Sequence, residues 1–230
     1  MLASGSVDGF LISLSKETQF KNNYDHIISV INNGLPVVMF DRTSNKVHCD
    51  KVIINDFDAA FNATNTLLNT ACKTIVFISF IGETNVGIER ANGYSHAIST
   101  YFKGNKEPII FNFTDYSKFA ITFEKFLTSN RIDGIVTSDE LSAIFSMNLV
   151  ISKGYKVPED IGVIGFTDGI LSKNSNPTLS VVNQNETELG ETAVANLINR
   201  IEKKSTSAYN TQIINTNIIY RKSTKEVIPN

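Results

Sequence analysis

Tryptophan is absent from these 230 residues, cysteine occurs twice, histidine three times and proline five times. Cys49 and Cys72 have no CxxC spacing, so the sequence offers no disulfide scaffold, and with only His26, His48 and His96 to add, it offers no metal cluster either. No metal ligand and no cofactor is expected. No apolar run approaches the ~18 residues of a spanning helix, and the N-terminus lacks the basic, apolar and small-residue succession of a signal peptide. A cytoplasmic protein is the expectation. Excess charge is missing too: a net charge of -2 supplies no bulk attraction to nucleic acid. Repeats, low-complexity tracts and proline-rich linkers are also absent. What remains, 42% hydrophobic and 19% charged residues, is the composition of a folded chain with one large core or two smaller ones.

The most informative stretch is Val157 to Asp168, VPEDIGVIGFTD. Its apolar run Ile161 to Phe166 is continuous rather than alternating, as a parallel strand covered on both faces requires. Asp168 follows at the carboxyl end, where open α/β sheets place their ligands. The same pattern recurs along the chain. Strands are predicted over Val7 to Leu14, Leu35 to Phe40, Val52 to Ile54, Thr74 to Phe80, Ile109 to Phe113, Ile132 to Thr137 and Leu179 to Val182. Helical spacing predicts helices over Tyr24 to Asn33, from Asn55 or Asp56 through Leu68, over Ile88 to Phe102, Asp115 to Ser129, Glu140 to Lys153 and Glu186 to Lys203. Leu171 to Pro177 reads as a polar loop, and Gln212 to Tyr220 as one or two closing strands.

Carboxylates Asp41, Asp139 and Asp168 all follow strands, yet no P-loop, GxGxxG, nucleophile elbow or histidine beside a nucleophile accompanies them. No catalytic residue is assigned, and an enzyme is not expected.

Several segments together carry a family resemblance. They are VDGFLIS (Val7 to Ser13), GLPVVMFDR (Gly34 to Arg42), ERANGY (Glu89 to Tyr94), IDGIVTSDELSA (Ile132 to Ala143), GYKVPEDIGVIGF (Gly154 to Phe166), PTLSVVNQNETELGETA (Pro177 to Ala193) and IIYRKST (Ile218 to Thr224). Spread over nearly the whole chain in this order, they resemble the effector-binding region of the LacI/GalR transcription regulators, itself similar to the periplasmic sugar-binding proteins. Two departures stand out: Thr167 where the family usually has Asp, and Ala71-Cys72 where it usually has Gly-His. The family's helix-turn-helix headpiece, hinge helix and first two β/α units have no counterpart, with Met1-Leu2-Ala3 aligning to the second of those helices.

The resemblance implies an α/β, periplasmic-binding-protein-like fold of two doubly wound parallel-sheet lobes with a cleft between them, the first lobe incomplete. Residues 1–55 and 184–217 would form that first lobe, 56–183 and 218–224 the second, and 225–230 a tail. An unpaired apolar strand at Gly9 to Leu14 would leave the isolated chain poorly stable or self-associating. The family places Arg90 and Asp139 on a sugar-like or nucleoside-like ligand; Arg90 is otherwise a surface residue paired with Glu89 or Glu83, and Asp139 an N-cap. Asp41, Arg42, Asp168, Gln184 and Ser13 are further ligand-contact candidates from their positions at strand ends and lobe crossovers, Asp41 and Arg42 alternatively pairing with one another, Asp168 being alternatively a loop brace and Gln184, with Glu186, a hinge. Phe80, Phe111 and Phe113 are core residues or stacking platforms. The implied function is an effector sensor coupled to operator DNA through the missing headpiece, in a homodimeric intact protein. The alternative is a solute-binding component of a sugar transporter.

Overall fold

In the computed structural model, which describes residues 7–202 and 208–226, the aliphatic runs become short strands and the segments between them helices. Met1 to Ala3, and the tail read at 225–230 apart from its first two residues, lie outside the described residues. The first elements are β1 (Phe10–Ile12), α1 (Lys16–Lys21), α2 (Asp25–Asn32), β2 (Val37–Phe40), β3 (Asp50–Ile54) and α3 (Asp56–Asn69). Next come β4 (Ile75–Ser79), α4 (Asn85–Tyr101), β5 (Ile109–Asn112), α5 (Tyr116–Ser129), β6 (Gly134–Thr137) and α6 (Glu140–Ser152). The chain closes with β7 (Gly162–Phe166), α7 (Ile170–Asn174), β8 (Ser180–Asn183), α8 (Glu186–Ile201), β9 (Thr211–Ile214) and β10 (Asn217–Ile219).

One compact unit comprises the described residues of Met1–Asn55, together with Glu83–Val86 and Asn185–Asn215. Its sheet has the order β1-β2-β3-β9, all parallel. Period-two alternation divides the strands between two cores. Val37 and Met39, with Phe10 and Ile12, meet Ile27 of α2 on one face. Val38, Val52, Ile54 and Ile214 meet Leu189 and Ala193 of α8 on the other. Among the described residues β1 is an edge strand, with Leu11 exposed.

The second unit comprises Asp56–Gly82, Gly87–Gln184 and the described residues of Thr216–Asn230. Gln184, Thr216 and Asn217 thus sit with the second unit, and Glu83–Val86 with the first, where the sequence division had run otherwise. The sheet order is β10-β8-β7-β6-β4-β5, parallel except for β10, which runs antiparallel to β8. Phe77, Val136, Ile164, Phe166 and Val182 face α3 and α4. Val76, Ile78, Ile135, Val163 and Val181 face α5 and α6. Every residue of β7 is buried, as its continuous apolar run requires.

Some expectations need correction. The strand read over Val7 to Leu14 contracts to Phe10–Ile12, because the flanking residues turn into loops. Between it and α2 lies α1, which buries no residue and so has no apolar period; a local cap defines it, with Ser15 Oγ accepting from Thr18 N at 3.0 Å. The supposed loop Leu171 to Pro177 contains most of α7, too short for periodicity to reveal, whose Ser172 N donates to Glu140 Oε1 at 2.7 Å. Ala71 takes φ +68, a left-handed turn ending α3 at the position where the resembling family has glycine.

Glycine is structurally required in the ERANGY segment. A Cβ on Gly93 would lie 2.1 Å from the Phe57 carbonyl oxygen, so only a glycine lets α4 approach α3 this closely. That approach positions the site.

Candidate functional site

Arg90 lies three residues before Gly93 on α4, and the close helix contact delivers its guanidinium to Asp56, the first residue of α3. Arg90 Nε donates to Asp56 Oδ1 at 2.7 Å, Nη1 to the Ser138 carbonyl at 2.6 Å and Nη2 to Gln184 Oε1 at 2.9 Å. Its Cζ sits 4.0 Å from the centre of the Phe166 ring. Ser138 follows β6, Phe166 ends β7 and Gln184 follows β8, so one guanidinium ties together three adjacent strand ends. Pairing of a surface Arg90 with Glu89 or Glu83 is overturned: the side chain is 4% exposed. A charge buried to that degree persists only when paired and hydrogen-bonded, and the planar fork of arginine suits three acceptors at once.

Gln184 makes a second bond, its Nε2 donating to Thr167 Oγ1 at 2.6 Å. Structure therefore brings Arg90 and Gln184 together, and adds Asp56 and Thr167.

Asp139 caps α6, with Oδ1 accepting from Ser142 N at 2.8 Å, while Oδ2 accepts from Ser138 Oγ at 2.8 Å and Ser142 Oγ at 2.5 Å. Beside it lies Tyr116, whose phenol is pushed above its ordinary value by burial and, secondarily, by the Asp139 charge. The Tyr116 ring stacks on Phe80 with centroids 3.9 Å apart and lies tilted against Phe145 at 4.4 Å. Phe80 thus serves both the core and an aromatic wall next to a carboxylate, whereas Phe111 and Phe113 pack within the core.

Asp168 does not reach Arg90 or Gln184 in any hydrogen bond; it is held by Arg221 Nη2 and by Lys173 Nζ at 3.1 Å. Burial pushes its carboxyl up, but the bonds and charges of Arg221 and Lys173 outweigh that and leave it below the ordinary value. This is the geometry of a brace between β7 and the segment after β10.

In the first unit, Ser13, Asp41 and Arg42 gather where β1 and β2 end. Ser13 Oγ donates to Asp41 Oδ2 at 3.3 Å, and Arg42 Nε lies 3.5 Å from the same oxygen. Asp41 has φ +56, a conformation aspartate tolerates better than most residues. Ser15 is occupied as the α1 cap, and Glu186 opens α8 with an exposed side chain.

Sequence reasoning missed Asp56 as the arginine's partner, Thr167 as the Gln184 acceptor and Tyr116 as a neighbour of Asp139. Of these, Tyr116 carried a signal, an aromatic directly after the cap residue Asp115. The other two are joined to Arg90 only by folding.

The sequence pattern of the periplasmic binding protein-like domain matches residues 64–224. The ribose operon repressor of Haemophilus influenzae is 26% identical over 219 residues, covering 94% of this chain and 64% of that protein. The arabinose metabolism transcriptional repressor of Geobacillus stearothermophilus is 25% identical over 227 residues, covering 96% and 62%. The chain spans less than two thirds of these relatives' length. Among solved structures, the transcription regulator CcpA of Lactococcus lactis superposes with a TM-score of 0.81 at 25% identity, covering 97% of this chain and 80% of that one. A LacI family transcriptional regulator from Enterococcus faecium with bound ribose gives 0.84 at 21% identity, covering 97% and 82%, and speaks for the fold alone. The matched pattern covers well over half the chain, and with relatives that are LacI-type repressors it establishes that this chain belongs to the periplasmic binding protein-like domain family.

Proposed function

We propose that this chain is the effector-sensing region of a LacI-type transcriptional regulator and takes a small sugar-like or nucleoside-like ligand at the carboxyl ends of its parallel strands. The observation that carries this reading is the buried Arg90 guanidinium, tying together the ends of β6, β7 and β8 where α/β sheets receive ligands. Arg90, Gln184 and Asp139 are assigned as effector contacts, with Tyr116 as the aromatic surface beside Asp139. Ser13, Asp41 and Arg42 are assigned as contacts from the first unit, and Asp168 as the brace that fixes the loop after β7. A carboxylate accepts from ligand hydroxyls, a guanidinium donates to ring or carboxylate oxygens, and an aromatic face covers the apolar side of a sugar.

Relatives that are repressors of ribose and arabinose genes support a regulator rather than a transporter component. The whole protein would then act in the cytoplasm as a homodimer, reaching operator DNA through a headpiece. No reaction step is assigned to the site. Effector binding shifts DNA affinity only if one conformation binds the effector better than the other.

A thermal-shift screen of pentoses, hexoses, sugar phosphates and nucleosides tests the reading. A ligand at about 100 times its dissociation constant adds about 2.7 kcal/mol to the folded state. The expected result is a hit that Gln184→Ala and Asp139→Ala each weaken. No hit on a well-folded sample, or a hit untouched by both variants, would overturn the site.

A further inference from the structure

The cations described around the carboxyl ends of β6, β7 and β8 are already turned onto carboxylates: Arg90 onto Asp56, and Arg221 and Lys173 onto Asp168. Asp139, by contrast, is held among the described residues by neutral donors: Ser142 N, Ser138 Oγ and Ser142 Oγ at 2.8, 2.8 and 2.5 Å. It also fills the amino end of α6, where the first backbone N–H groups would otherwise attract an anion. The charge of that carboxylate reaches the neighbouring ring, since it adds to burial in pushing the Tyr116 phenol above its ordinary value. An anion arriving here meets negative charge and no uncommitted cation.

Asp56 is what commits Arg90. The two side chains are 8% and 4% exposed and 2.7 Å apart, so a ligand meets the guanidinium and the carboxylate together, with little water to screen either. Holding Arg90 in place does not require that charge. The Ser138 carbonyl and the Gln184 amide hold Nη1 and Nη2 as neutral acceptors at 2.6 and 2.9 Å. An asparagine oxygen in place of Asp56 Oδ1 would accept from Nε in the same way. What a carboxylate adds at this position is its charge. The N–H groups left on Nη1 and Nη2 remain available to a ligand oxygen.

We infer that Asp56 sets the charge class of the effector: by neutralising Arg90 it admits an uncharged polyhydroxyl ligand and turns away sugars that carry a phosphate or a carboxylate. This rests on the reading of Arg90 as an effector contact, and Asp56 acts through Arg90 rather than on the ligand. A ligand hydroxyl donates and accepts, so it satisfies Asp139 and the remaining Arg90 N–H groups alike. A phosphate brings acceptors alone and stands against Asp139 with nothing to offset it.

Inorganic phosphate titrated at constant ionic strength tests this charge filter without a sugar. Asp56→Asn keeps the shape and an acceptor for Nε but removes the charge, leaving Arg90 a buried cation that an anion can pair. Calorimetry and melting should show phosphate binding Asp56→Asn more than about tenfold tighter than the parent. Asp56→Asn with Gln184→Glu returns a carboxylate to Arg90 on its Nη2 side and should lose that gain. Equal phosphate affinity in the parent and Asp56→Asn overturns the inference, and so does a gain that survives in the double variant. Should either variant fail to fold in phosphate, Asp139→Asn decides, since its amide oxygen still accepts from Ser142 N. Tighter phosphate binding there than in the parent supports the filter, and unchanged binding overturns it.

D-ribose and D-ribose 5-phosphate, alike but for the phosphate, carry the test to the effector class. The parent is expected to prefer the neutral sugar by more than about tenfold, and Asp56→Asn to narrow or reverse that preference. A parent that takes the ester as well as the sugar, or a preference unchanged in Asp56→Asn, overturns the inference while leaving the sensor reading intact. A parent that binds neither counts against the sensor reading for pentoses, and the phosphate titration still decides the role of Asp56.

Discussion

Arg90 Nε lies 2.7 Å from Asp56 Oδ1, and the two side chains are 4% and 8% exposed. Removing the arginine leaves a carboxylate in a site too dry to hydrate it. Arg90→Ala is expected to destabilise the fold by about 3–5 kcal/mol, more than a surface arginine would. Chemical denaturation should show a lower midpoint at constant slope. Binding assays on that variant must be read beside its melt, which is why Gln184 and Asp139 are the better tests of ligand contact.

Gly93→Ala offers a test of sign. In an exposed helix interior alanine is more favourable than glycine by about 1 kcal/mol. Here the new methyl meets the Phe57 carbonyl oxygen at 2.1 Å and the Phe61 nitrogen at 3.0 Å, neither of which can rotate away. The expected outcome is a loss of roughly 1–3 kcal/mol. A more stable Gly93→Ala variant would mean that α3 and α4 separate without penalty.

Ala71→Gly should act in the opposite direction. At φ +68 the alanine methyl is strained, and glycine relieves a cost of about 1–2 kcal/mol, less the extra freedom glycine gives the unfolded chain. A modest rise in melting temperature is expected, and a fall would contradict the left-handed turn.

Much of the architecture was legible because burial imposes period. The continuous apolar run ending at Phe166 marked β7, and the spacing of Phe119, Phe123 and Leu127 marked α5. Asp139 and Asp115 signalled helix starts through chemistry alone. Short elements such as α1 and α7 were not legible, since six and five residues are too few to show a stripe. The site was legible only in part. The family resemblance pointed to Arg90, and strand-end position to Gln184, but the chain separates Asp56, Arg90, Thr167 and Gln184 from one another by 17 residues or more. Only the packing of α4 on α3 and the sheet order bring them within hydrogen-bond reach.

Tyr94 is fully buried; its hydroxyl donates to the Ile75 carbonyl at 2.8 Å and accepts from Ile109 N at 3.0 Å. Tyr94→Phe leaves both backbone groups without that partner and should cost about 1–3 kcal/mol. Burial also raises the phenol to about 12 against an ordinary 10.0. A raised pKa in the folded state means that its stabilising effect is complete below the ordinary value and is lost as pH climbs toward about 12. Ultraviolet titration should show a tyrosine component that ionises only toward about 12, and Tyr94→Phe should remove that component.

Asp168 behaves conversely. Its carboxyl sits below the ordinary 3.8, because the bonds from Arg221 and Lys173 outweigh burial. Its contribution is present above the ordinary value and is lost as pH falls beneath it. Asp168→Asn should flatten the acid limb of the stability curve, measured as melting temperature against pH. An unaltered limb would show that the contact with Arg221 contributes nothing.

The lack of tryptophan gives the Tyr116 stack an optical consequence. Excitation absorbed by tyrosine has no indole to drain into, so phenol emission dominates the spectrum. Tyr116 lies 3.9 Å from Phe80, and its phenol feels the charge of Asp139. A change in the surroundings of that phenol, such as neutralisation of the Asp139 charge, is expected to alter the tyrosine emission. A phenol beside the proposed effector site would then report occupancy without a label.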